Sequence, residues 1–587
     1  MERGTVLPWW SSLLLVWLVV EVTTLLAGGR ASERASVTAR RCTNLAGMRW
    51  RARASEWACA RSWRRLLPLA AGVAALSCSV GAAGGVGSTS PDGPYGAGVT
   101  TRIGWRSCGV RLECARVRVP LDWARPQGPT ISLAVIRYLV RRPAQRIGSL
   151  FVNFGGPGVP GVAALRAATP AELDALGRGR FDVVSWDPRG TGESTHVRCF
   201  ANAGAQARFW GPDWSVPTTT SASRRYVAKT VAFVNRCVAL SGPLLAHIST
   251  ADTARDLDFL RRLVGDRGLT YLGVSYGTFL GQTYANMFPQ RVRAMVLDGV
   301  VDPVAFTTST EAQIANGVSD SDLVFGKFQR LCQLAGHVRC ALAGREPVAE
   351  RVTGLLARLR RGPIPAPSAA APRRLSYGDL LIDLFTRLGS PGQWPELAAG
   401  LGKAARGDGS ALETDFQQER PAYQSALVSA VALGCADKPP PRQGPRAWPT
   451  VIGHLTQISR IEGPVQGWWL WAPCSSWPVV SADRYTGPWK ARTLNPILVV
   501  GTRFDPQTPF ANARRVARLL GNAELLTYNG YGHTSENDPS ACVEHAITRY
   551  LVRLVAPRPG TVCQADHQPF DPGAGRDAIF HRPGGTS

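Results

Sequence analysis

Short apolar runs that alternate with amphipathic segments predict an α/β fold, a mostly parallel sheet with crossover helices. Glycine-rich turns close several of the runs, at Gly155–Gly158, Gly190–Gly192 and Gly273–Gly277. A third observation completes the class. From Pro303 to Pro478 the strand pattern gives way to helical periodicity, which reads as an inserted helical cap domain.

The elements follow in chain order. Gly84–Gly98 is rich in Gly, Ser and Pro and reads as a linker. Glu113–Leu121 and Ile131–Val140 alternate or run apolar, as strands do. Ser149–Asn153, Phe181–Trp186, Leu269–Gly273 and Arg293–Asp298 are buried strands, with amphipathic helices at Thr250–Val264 and Thr278–Phe288 between them. The cap is expected to contain helices at Leu323–Leu331, Val348–Leu359, Tyr377–Leu388, Leu397–Ala405 and Tyr423–Leu433. Strand–helix order resumes at Pro496–Gly501 and Ala523–Tyr528 and ends in a helix over Ala541–Val555. The expected division is 1–83 extension with a signal or anchor, 84–100 linker, 101–302 first part of the core, 303–480 cap, 481–565 second part of the core, and 566–587 tail.

Composition narrows the function. The chain has 587 residues, 45% of them hydrophobic, enough for one large α/β domain with an insertion. Gly 61 and Pro 43 show no period, which excludes a collagen-like repeat. The net charge of +25 raises nucleic-acid binding, but the arginines are scattered, with no dense basic run beside an aromatic platform. No nucleic-acid partner is expected; the basic surface suits an anionic envelope. None of the 13 cysteines forms a C-x-x-C pair, so zinc ribbons and thioredoxin motifs are disfavoured, and no metal or organic cofactor is expected. Ten cysteines lie beyond residue 100 in locally spaced pairs, which reads as five disulfides formed outside the cytosol. Spacing alone leaves their connectivity open.

Two apolar segments precede the core. Leu66–Val80 follows Arg61, Arg64 and Arg65 and exits into Gly81-Ala82-Ala83, the layout of a secretory signal. Met48 is a sensible start for it, which makes residues 1–47 an over-extended start or an extra anchor, with Leu7–Ala27 long enough to span a membrane. Ser77-Cys78 weakly resembles a lipoprotein acylation site, with Ala75 where leucine is usual. The expected location is secreted or in the cell envelope, with attachment to membrane or envelope through the N-terminus.

The chemistry centres on Gly273-Val274-Ser275-Tyr276-Gly277. A G-x-S-x-G that ends a strand and opens a helix lifts its serine above the sheet on a strained turn, beside backbone N–H groups that can hold an oxyanion. A serine hydroxyl needs a base oriented by an acid, in the chain order Ser, acid, His. Asp505, in the turn after Pro496–Gly501, and His533, in the Gly-flanked loop after Ala523–Tyr528, fill those places. Phe154-Gly-Gly-Pro-Gly158 supplies the second oxyanion donor, the N–H of Gly156, with that of Tyr276 as partner. Asp187-Pro188-Arg189, Asp256 and Asp258 read as structural, Arg189 tying its loop to carbonyls or acids. The four tryptophans within Gln466–Trp477 read first as cap core, with an apolar wall over the active site as the functional alternative. Asp437 and Glu311 are the candidate carboxylates for a positively charged group on a substrate.

Asn153–Gly158 (NFGGPG), Phe181–Ser194, Thr253–Gly265, Tyr271–Thr278, Gly501–Pro509 and Gly530–Ser535 together resemble the α/β-hydrolase peptidases related to prolyl iminopeptidase, in particular the secreted actinobacterial tripeptidyl-aminopeptidase branch. The resemblance spans about residues 102 to 565, with one departure: Phe154 stands where many relatives carry another residue, often histidine. It implies the α/β-hydrolase fold, Ser275, Asp505 and His533 as triad, and local disulfides Cys108–Cys114, Cys199–Cys237, Cys332–Cys340, Cys435–Cys474 and Cys542–Cys563. The expected activity is that of a secreted serine exopeptidase releasing N-terminal tripeptides or residues through an acyl-enzyme on Ser275. The alternative is a carboxylesterase or lipase with the same triad, so the partner is a peptide or ester substrate. A non-catalytic envelope-binding protein is the third reading, disfavoured by the intact Ser, Asp and His. A serine at the elbow also argues against epoxide or haloalkane hydrolysis, which use aspartate there.

Overall fold

The computed structural model describes residue 96 and residues 98–211 and 214–572. The signal and anchor segments, Met48, Cys78, most of the linker and the end of the tail lie outside the described residues.

Ten strands form one sheet: β1 (Arg106–Gly109), β2 (Leu112–Pro120), β3 (Thr130–Tyr138), β4 (Gly148–Asn153), β5 (Phe181–Trp186), β6 (Leu269–Val274), β7 (Val292–Asp298), β8 (Ile497–Phe504), β9 (Ala523–Tyr531) and β10 (Val562–Gln564). Their spatial order is β1-β2-β3-β5-β4-β6-β7-β8-β9-β10. The ladders from β1 to β5 are antiparallel, and every ladder from β5 through β4 to β10 is parallel. Covered on both faces, β4, β5 and β6 are buried at every position, which is why they read as unbroken apolar runs. In β2, exposed Arg116 and Arg118 alternate with buried Val117 and Val119. One face of the sheet packs Phe151, Val184, Tyr271 and Val499 into one core; Leu150, Val183, Leu272 and Leu498 serve the other. After β4 the chain winds to β5 on one side, then crosses to β6 on the other. This reversal opens a crevice at the carboxyl ends of β4 and β6, where such folds place their ligands.

The post-β5 loop is pinned as expected. Arg189 is fully buried; it donates to both carboxylate oxygens of Asp256 (2.7 and 2.6 Å) and to the carbonyls of Leu121, His247 and Pro120. Asp258 accepts from Arg261 and Tyr284 and pairs with Arg291.

The cap helices between Pro303 and Cys474 include Ser321–Arg339, Val348–Arg361, Tyr377–Leu388, Trp394–Ala405, Ser410–Ala436 and Trp448–Ile458. Tyr377–Leu388 has a capping box, Ser376 with Asp379, and buries Leu380, Leu381, Leu384 and Leu388 at helical spacing. The roof has a second source within 101–302. Helices Ala203–Trp210 and Thr220–Ser241 leave the core after β5 and pack against the cap. Trp214 stacks on Trp469 at 5.3 Å, Tyr226 meets Trp468 at 5.2 Å, and Gln206 donates to the Gln424 carbonyl. Disulfides join Cys108–Cys114, Cys199–Cys237, Cys332–Cys340, Cys435–Cys474 and Cys542–Cys563.

Candidate active site

Ser275 sits between the end of β6 and the helix Tyr276–Met287, at φ 55° and ψ −123°. This is a strained backbone for a residue with a side chain, and the neighbours explain how it is held. A Cβ on Gly273 would lie 2.4 Å from the Gly277 carbonyl oxygen, and one on Gly277 would lie 2.6 Å from that of Asn153. Only glycine lets strand, turn and helix close so tightly. The Ser275 N–H donates to the Asp298 carbonyl, and Thr278 returns its backbone N–H and its hydroxyl to the Ser275 carbonyl.

His533 brings Nε2 to 2.8 Å from Ser275 Oγ, and its Nδ1 lies 3.0 and 3.1 Å from the two oxygens of Asp505. Three segments far apart in the chain thus converge in one hydrogen-bonded row. Asp505 is fully buried and accepts from the backbone N–H of Gln507, Thr508 and Thr534 and from the Thr508 hydroxyl, at 2.6 Å. Burial alone would raise its pKa, but the His533 imidazole and these donors hold it below the ordinary carboxylate value. Burial opposes a charge on His533, yet Asp505 outweighs it and the net shift is upward. The His533 N–H donates to Gly389 of the cap, and Asn537 holds the His533 carbonyl. Nearby, buried Asp298 is pushed up to about 6 by desolvation and accepts from the Ser535 N–H and hydroxyl, fixing the histidine loop.

The glycine loop after β4 lies against the serine. A Cβ on Gly155 would meet the Val274 carbonyl at 2.6 Å and Ser275 Cβ at 2.9 Å, and its φ is +85°. Gly156 and Tyr276 both line the cavity that holds Ser275. Phe154 points away, packing on the core of the opposite sheet face.

That cavity, of about 270 Å³, has Ser275 in its wall and an apolar lining that includes Phe306, Ile314, Phe385, Leu427, Val431 and Trp469. Of the tryptophan run, Trp468, Trp471 and Trp477 are buried cap core, while Trp469 serves the cavity, so both readings of that segment hold in part. Glu462, in the short helix Glu462–Gln466, also lines it. It is 0% exposed and neither carboxylate oxygen has a hydrogen-bond partner. Burial pushes its pKa well above the ordinary value.

The two candidates for ammonium binding lie elsewhere. Asp437 is buried outside the cavity lining, its oxygens taken by the Thr250 N–H and hydroxyl; Thr250 Oγ1 in turn meets the Tyr276 phenol at 2.5 Å. Glu311, on the helix Thr310–Gly317, is half-buried outside the cavity lining and 2.8 Å from His454. Both corrections have one cause: a local sequence does not tell which way a carboxylate faces. Glu462 carried one faint signal, as the sole acid between Asp437 and Asp483, beside the tryptophan run.

Sheet topology, nucleophile elbow and hydrogen-bonded Ser–His–Asp row define a serine hydrolase of the α/β-hydrolase class. Residues 155–321 match the family model described as alpha/beta hydrolase fold, and residues 463–563 that described as TAP-like protein. The chain is 34% identical over 469 residues to Serine protease Hip1 of Mycobacterium tuberculosis, covering 77% of this chain and 87% of that protein. It is 31% identical over 500 residues to Carboxylesterase B of the same organism (82% and 92%). It is 27% identical over 489 residues to Tripeptidyl aminopeptidase of Streptomyces coelicolor (77% and 84%). The chain belongs to this α/β-hydrolase family of actinobacterial serine hydrolases.

Proposed function

We propose that the protein is an extracytoplasmic serine exopeptidase that removes short peptides or single residues from free amino termini. The observation that supports this most directly is Glu462, a buried carboxylate without a partner in the wall of the cavity that holds Ser275. Burial holds this group in its protonated form in the free enzyme, and a substrate ammonium beside it would favour the carboxylate form and pair with it. Two relatives are named as peptidases, which agrees.

In this reading Ser275 Oγ attacks the scissile carbonyl while His533 Nε2 takes its proton. The N–H groups of Tyr276 and Gly156 hold the developing oxyanion. The imidazolium, oriented by Asp505, protonates the leaving amine, and water then releases the acyl peptide by the same steps. Five disulfides fit an oxidising compartment, with export and attachment through the N-terminal segment.

The second reading, an esterase, has a 31% identical relative named Carboxylesterase B behind it. Glu462→Gln separates the two. For the peptidase, this variant raises KM for a free-amine tripeptidyl amide at least tenfold, about 1.4 kcal/mol or more, and erases its preference over the N-acetylated analogue. Wild-type enzyme that favours N-acetylated peptides and short-chain esters over free-amine peptides would establish the esterase instead.

A further inference from the structure

Lys438, one residue after Asp437, is 1% exposed. Its Nζ donates to Gln313 Oε1 at 2.7 Å and to the Gly434 carbonyl, and lies 3.8 Å from the centroid of the Phe306 ring. A buried lysine is an expensive way to fill space behind a cavity wall. Its position over an aromatic face favours the charged form. An ammonium has three hydrogens and no acceptor, so the Gln313 atom that faces it is the oxygen. The amide is thereby oriented. Oε1 is occupied by Lys438, and Nε2 keeps its two hydrogens for the other side. Gln313 lines the same cavity as Ser275 and Glu462.

We propose that Gln313 is a specificity-determining residue that donates a hydrogen bond from Nε2 to a backbone carbonyl in the acyl segment of a peptide substrate, with Lys438 as the positioning residue that keeps this donor aimed. The inference rests on the exopeptidase reading, because a carbonyl besides the scissile one exists only when the acyl group is peptidyl. It also gives Lys438 a reason to be buried. A simple acyl ester or a single aminoacyl amide offers Gln313 nothing to bind, whereas a tripeptidyl substrate carries two further carbonyls. An apolar side chain at 313 would offer neither the acceptor for Lys438 nor the donor to the cavity.

The test compares kcat/KM for a tripeptidyl amide, a single aminoacyl amide and p-nitrophenyl acetate. It is run at pH 6.5, below the value of about 7 to which burial lowers Lys438. Gln313→Glu retains the bond to Lys438 but presents an acceptor to the cavity, and Gln313→Leu presents neither group. In both, the ratio of kcat/KM for the tripeptidyl amide to that for the ester falls about tenfold, the size of one well-made hydrogen bond. The ratio of aminoacyl amide to ester falls less than twofold in Gln313→Leu. Lys438→Met lowers the tripeptidyl ratio about three- to fivefold, and combining it with Gln313→Leu adds nothing further, as expected of residues acting as a unit. Wild-type enzyme that cleaves the tripeptidyl amide, with Gln313 variants that leave the ratios unchanged or lower all three rates alike, overturns the proposal and leaves the exopeptidase reading standing. Wild-type enzyme that fails to cleave the tripeptidyl amide overturns both.

Discussion

His533 is under two opposed demands. Its burial favours the neutral imidazole, while buried Asp505 on Nδ1 favours the imidazolium, and the carboxylate prevails. As general base the histidine must be neutral, so a raised pKa means that activity is lost as pH falls through a value above the usual 6.5. The profile of kcat/KM against pH is expected to show an acidic limb centred above that value. Asp505→Asn removes the carboxylate, so the limb moves down in pH while kcat falls on the order of 10³–10⁴-fold. A limb that stays put in Asp505→Asn would show that Asp505 does not set the proton affinity of His533. The residues of this row were legible in the sequence because each sits in a glycine- or proline-marked turn after an apolar strand. The Thr508 hydroxyl on Asp505 was not, since a threonine in a turn has many local uses and only coordinates place its hydroxyl 2.6 Å from the carboxylate.

At the scale of elements, the parallel strands and the helices that follow them were legible because both faces of the sheet are covered, so the apolar runs are continuous. The helix Thr220–Ser241 shows why the rest was not. Its buried residues, Tyr226, Phe233, Val234 and Cys237, recur at helical spacing, so its formation is a local matter. Its role is not, because Tyr226 meets Trp468, more than two hundred positions later in the chain. The Arg189–Asp256 pair likewise joins the post-β5 loop to the helix Thr250–Leu263 and makes a measurable prediction. Arg189→Ala strands a fully buried carboxylate and leaves the Pro120, Leu121 and His247 carbonyls without their donor. The expected loss is about 3–5 kcal/mol in urea unfolding. Arg189→Ala combined with Asp256→Leu recovers part of it, because the stranded charge is gone. A single variant within 1 kcal/mol of wild type would mean that water reaches Asp256 and satisfies it.

Across the whole molecule, the catalytic row and the proposed substrate contacts come from different parts. Ser275, Asp505 and His533 hang from the ends of β6, β8 and β9, whereas Trp469, Glu462 and Gln313 belong to the inserted roof. The disulfide Cys435–Cys474 closes a 39-residue separation that joins the end of the helix Ser410–Ala436 to the tryptophan run and encloses Lys438 and Glu462. Loop-closure entropy assigns such a link about 4 kcal/mol, acting on the roof rather than the sheet. Replacing both cysteines by serine should therefore loosen 437–474 first. Hydrogen exchange is expected to quicken there while β4, β6 and β8 keep their protection, and a fluorophosphonate probe should still label Ser275, since the row of Ser275, His533 and Asp505 does not depend on that loop. If Glu462 and Gln313 hold the substrate as proposed, KM for peptides should rise, because Glu462 and Lys438 are no longer held in place. Simultaneous loss of protection in roof and sheet would instead make the two a single cooperative unit, with the disulfide stabilising the active site itself rather than its selectivity.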